Sequence, residues 1–162
     1  MKKTVTCGIL IALALIFSYI ESLFPIPVPL PGIKVGLANL VVVFTLYRLG
    51  YKYAINVSLI RVLLVGFMFG SLSAILYGLA GAILSLIAMI IVKSYSNLHV
   101  VTVSIIGSLA HIIGQLLVAG AVTDYRAIAY YAPYLLIAAF VAGGIIGSVS
   151  SILIGRIPID MN

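Results

Sequence analysis

Ser104, Ser108, His111 and Gln115 are spaced four, three and four residues apart, which sets them on one face of a helix. Two hydroxyls, an imidazole and an amide in one row can orient a ligand by hydrogen bonds, or can equally tie neighbouring helices together. Arg61, with Ser58 one turn before it, stands in a long apolar run. A guanidinium placed there must pair or face water, because burying it alone in hydrocarbon costs several kcal/mol. Lys34 and Asn39 follow a proline-rich stretch, PIPVPLPG, at the start of another apolar run. Of the three acidic residues, Asp124 and Asp160 fall in connections, so Glu21 is the candidate partner. It can neutralise Lys34 or Arg61, leaving one cation as a receptor for an anionic ligand. The alternative is that the cations snorkel to the surface, which is easier for Lys34 than for Arg61.

The chemistry these groups support is binding. No glycine-rich loop with a lysine is present to cradle a nucleotide phosphate. Three acidic residues, far apart in sequence, do not make a magnesium site for diphosphate chemistry. Two histidines and the single Cys7 have no metal-ligand spacing, and one cysteine forms no internal disulfide. The serines that precede His111 have no orienting acid. Neither an enzyme nor a cofactor or metal site is therefore expected.

The elements that hold these residues are dictated by lipid. The chain is 64% hydrophobic and 7% charged, more apolar surface than 162 residues can hide from water, so a bilayer is the expected solvent. Apolar runs at about 4–23, 33–49, 53–70, 72–92, 100–121 and 133–155 predict six membrane helices in one domain. The breakers between them are the prolines of Pro25–Pro31, Gly50-Tyr51, Gly70-Ser71, Ser94–Asn97, Thr123–Arg126 and Pro133, with Thr123–Tyr131 read as an outer loop. Alternating prolines make Pro25–Pro31 a stiff, non-helical strap, placed to act as a lid. Lys2, Lys3, Arg48, Lys52, Lys93 and Arg156 all gather on one side of this arrangement, which predicts both termini in the cytoplasm. The formal charge of +6 is thus a matter of orientation rather than of nucleic-acid binding. The first run lacks a small-residue cleavage site after it and is read as a retained helix, not a leader. Small residues recur at fourth positions: Gly8 and Ala12; Ala74, Gly78 and Ala82; Ala139, Gly143, Gly147 and Ser151. Such rows let helices approach closely, and the row on the first helix can instead dock another membrane protein.

The segment PGIKVGLANLVVVFTLYRLG resembles the signature of small bacterial membrane proteins known as heptaprenyl diphosphate synthase component I, or the Gx transporter family. That group is similar to the substrate-binding S components of energy-coupling factor transporters. The resemblance implies six helices, cytoplasmic termini, and a site toward the outside under the connection between helices one and two. It also implies docking of Gly8 and Ala12 on a transmembrane coupling subunit that works with an ATPase. The expected site comprises Lys34, Asn39, Arg61, His111 and Gln115, with Glu21 beside the cations. The rival expectation is a non-catalytic membrane subunit anchoring a polyprenyl diphosphate synthase or a quinone- or flavin-linked electron-transfer assembly.

Overall fold

The computed structural model describes residues 2–23, 36–95, 97–122 and 125–157. These residues form six helices: α1 (Lys2–Leu23), α2 (Leu37–Arg48), α3 (Tyr51–Phe69), α4 (Leu72–Tyr95), α5 (Val100–Val122) and α6 (Tyr125–Arg156). Five are long and apolar enough to cross a membrane, whereas α2 has only 12 residues. A helix of that length rises about 18 Å, against a hydrocarbon core of about 30 Å. The expected span 33–49 is therefore met by a helix over Leu37–Arg48; its positions 33–35, with Lys34 and the Pro25–Pro31 strap, lie outside the described residues.

Lipid contact does not explain α2. Ala38 and the unbroken run Val41–Leu46 are buried, so both sides of the helix are covered. It packs against α1, α3 and α6, while the other helices follow one another round the bundle in the order α1, α3, α4, α5, α6. Below its first turn α2 belongs to the main core, a cluster that also takes in Cys7, Leu10 and Ala14 of α1, Val57 of α3, Met89 of α4 and Val103 of α5. Glycines make the turns at its two ends. Gly36 caps the N-terminus at φ 87°, and Gly50 opens α3 at φ 98°, both in the left-handed region that side chains avoid. At the C-terminus the N–H groups of Leu49 and Gly50 both donate to the Thr45 carbonyl, at 2.8 and 3.1 Å.

α5 makes its most extensive contacts with α4 and α6, and glycine is the reason. A methyl group on Gly114 would lie 2.5 Å from the Ala80 carbonyl oxygen of α4. One on Gly143 or Gly147 of α6 would lie 2.8 Å from the Ile105 Cα or 2.7 Å from the Val101 Cα. The small-residue row on α6 thus brings backbones together as its spacing implies. Gly8 and Ala12 on α1 are exposed, and nothing stands within 4 Å of a methyl group built on Gly8.

The loop expected over Thr123–Tyr131 is corrected. α6 is helical from Tyr125, and Pro133 lies inside it rather than before it. Proline removes one donor and crowds the preceding turn, but helices in a membrane bundle tolerate it because neighbouring groups re-satisfy the freed carbonyl. Gly70-Ser71 is the short connection its sequence indicates, with the Ser71 hydroxyl accepting from the Ala74 N–H at 3.2 Å to cap α4.

At the end of the bundle that carries the N-terminus, two cations close helix ends. Arg48 Nη2 donates to the carbonyls of Ile154 and Ile157, where α6 finishes. Lys93 Nζ donates to the Leu46 carbonyl near the end of α2 at 2.6 Å and sits 4.6 Å above the Tyr47 ring. Both place positive charge on a negative helix terminus.

Candidate functional site

Because α2 is short, it fills only one half of the bundle. The other half, bounded by the last turns of α1 and α3 and the first turns of α2 and α4, encloses a cavity of about 510 Å³. That volume suits a small organic ligand. Every helix contributes to its wall, and most of the lining is apolar: Val62 and Val65 from α3, Ile112 from α5, and Leu135 and Ile145 from α6. Gly66 and Gly78 line it and let α3 meet α4; a methyl on Gly78 would lie 2.9 Å from Val62.

The polar side chains are few and come from four helices. Glu21, in the last turn of α1, is buried at 7% exposure and accepts a hydrogen bond from the Gly36 N–H at the mouth of α2. One carboxylate thereby fixes the two ends of the α1–α2 connection. Arg61 of α3 lines the same space, within Coulomb range of both Glu21 and His111. Its Nε is buried with no hydrogen-bond partner among the described residues, although the side chain as a whole is only part-buried. A guanidinium edge left in that state is a donor in need of an acceptor.

His111 and Gln115 are one turn apart on α5, with their side-chain Nε2 atoms 3.4 Å apart. The imidazole lies flat against α4, possible only because position 81 is glycine: a methyl there would be 2.8 Å from His111 Nε2. Asn39, in the first turn of α2, faces the cavity from below.

Of the site residues expected from sequence, Glu21, Asn39, Arg61, His111 and Gln115 line this one cavity, and Lys34 lies outside the described residues. Ser108 of the α5 stripe lines it too, whereas Ser104 is fully buried one turn below. Sequence reasoning passed over Ser18 and Gly36. Ser18 is 3% exposed and lines the cavity three residues before Glu21; that spacing puts both on one face and was signal enough. Gly36 carried no such signal, since its role is a backbone N–H.

The model of the family described as Heptaprenyl diphosphate synthase component I matches residues 10–153, nearly the whole chain. The chain belongs to that family. Its matched region takes in every described cavity residue named above. Neither the curated proteins nor the solved structures compared with the chain gave a match. The family name associates its members with a synthase that makes a prenyl diphosphate, and the bundle is a multi-pass membrane protein.

Proposed function

We propose that this chain is the substrate-binding membrane subunit of an energy-coupling factor type transporter, an S-component-like protein of the cytoplasmic membrane. It captures a small, anionic or amphipathic molecule from outside the cell and partners an ATPase and a transmembrane coupling subunit. The observation that carries this reading is the convergence of Glu21, Asn39, Arg61, His111 and Gln115, from four helices, on one largely apolar cavity. A bundle needing only to anchor a partner has no use for a half-empty interior with an under-satisfied arginine in its wall. In this reading Arg61, together with Lys34, holds the negative group of the substrate. Asn39, His111 and Gln115 fix its orientation. The exposed Gly8 and Ala12 face of α1 is where the coupling subunit docks.

The family name favours a second reading, in which the chain is a non-catalytic membrane accessory of a polyprenyl diphosphate synthase. Purification from native membranes in mild detergent separates the two. Recovery of an ATPase and a coupling subunit supports transport, whereas recovery of a soluble prenyl synthase supports the accessory role. Native mass spectrometry of the same preparation is expected to show a retained small molecule, lost in Arg61→Ala and Lys34→Ala. Equal retention in the variants and the parent would defeat the proposed site.

A further inference from the structure

The charges around the cavity restrict what can occupy it; this step rests on the cavity being the ligand site. Arg61 and Glu21 line it with opposite charges. The chain has nine basic and three acidic residues, and six of the basic ones belong to the far end of the bundle. Among the described residues that line the cavity, Arg61 and Glu21 are the only charged side chains. The positive charge that the described wall offers a ligand is therefore that of Arg61 alone. Among the described residues, no three His, Cys, Asp or Glu side chains come together to recruit a metal ion that would raise it.

A diphosphate head brings at least about two negative charges, each needing its own compensation in a low-dielectric site. Glu21 makes this worse, because its carboxylate is held in the wall by the Gly36 N–H and repels any second negative charge near Arg61. The rest of the wall, Val62, Val65, Ile112, Leu135 and Ile145, offers a ligand only hydrocarbon contact. We infer that the occupant is a monoanion with an apolar body, its single carboxylate-like group on Arg61 and its hydrocarbon or ring system against α3 and α6, and that prenyl diphosphates are excluded. The guanidinium is suited to such a head, since its planar fork takes two oxygens of one group through parallel N–H bonds. Glu21 then acts as the specificity residue, setting the upper limit on ligand charge.

The test is a head-group series on the purified full chain in lipid nanodiscs, with dissociation constants measured by calorimetry. Three bodies are used: a linear ten-carbon chain, a ten-carbon prenyl chain and a bicyclic aromatic. Each carries in turn an alcohol, a carboxylate and a diphosphate. For the best-fitting body, the carboxylate is expected to bind about tenfold or more tighter than either the alcohol or the diphosphate. Arg61→Gln is expected to remove most of the carboxylate's advantage over the alcohol, and Arg61→Lys to keep more of it. Glu21→Gln is expected to narrow the gap between carboxylate and diphosphate. Tightest binding of a diphosphate by the unmutated protein would overturn the monoanion assignment while leaving the cavity as a ligand site. Failure of all nine probes to bind folded protein would overturn both. The comparison on unmutated protein stands alone if a variant does not fold.

Discussion

Gly81 shows how a residue without a side chain can decide the state of one that has chemistry. His111 reaches its place only by lying against the bare backbone of α4, and there its ring nitrogen meets the Gln115 amide. In Gly81→Ala the new methyl would stand 2.8 Å from Nε2, so the ring must swing away and the amide contact must break. Overpacking of this kind costs about 1–3 kcal/mol. The expected result is a folded protein with a lower melting temperature and about tenfold weaker ligand retention, on the scale of one lost hydrogen bond. Gly120→Ala one helix away is the control, since nothing lies within 4 Å of its added methyl. Retention unchanged in Gly81→Ala would remove His111 from the site. The four-residue spacing of His111 and Gln115 announces their shared face in the sequence. Gly81 could not be found that way, because its role depends on the register of α4 against α5, which no single-helix pattern contains.

Helix lengths were legible where hydropathy alone controls them and illegible where neighbours do. α3, α4 and α5 begin and end within three residues of the apolar runs that predict them. α6 begins eight residues early, because a proline that would end a helix in water is accommodated inside a bundle. α2 looks like a membrane span in composition, yet its run of buried residues makes it an interior element, and its brevity creates the cavity. The small-residue rows were legible as packing signals but not by partner, and only contact with α5 separates the two adjacent glycines of α6. Gly143 abuts the Ile105 backbone; Gly144 has nothing within 4 Å. Gly147→Ala should lower the thermal stability of the detergent-solubilised protein by about 1–3 kcal/mol, since its methyl would meet the Val101 Cα at 2.7 Å. Gly144→Ala should be neutral or stabilising by up to about 1 kcal/mol, the ordinary helix preference for alanine. Equal responses would mean that α5 and α6 are not clamped as described.

Taken whole, the molecule is solid at one end and hollow at the other, and its charge follows the same division. α2 and the main core fill the end where Arg48 and Lys93 close helix termini; the cavity occupies the end that holds the α3–α4 connection. Basic residues collect on the cytoplasmic side of membrane proteins because moving them across is costly. The hollow end should therefore face outward, as capture of an external ligand requires. Single cysteines introduced in a Cys7→Ser background test this in intact cells with a membrane-impermeant maleimide. Ser71→Cys, exposed in the α3–α4 connection, is expected to react directly, and Leu98→Cys, 45% exposed between α4 and α5, only after permeabilisation. The opposite pattern would turn the cavity toward the cytoplasm. Uptake would then be the wrong direction, although the pairing of Arg61 with a monoanion would be untouched, since that depends on the wall of the cavity and not on which compartment it opens to.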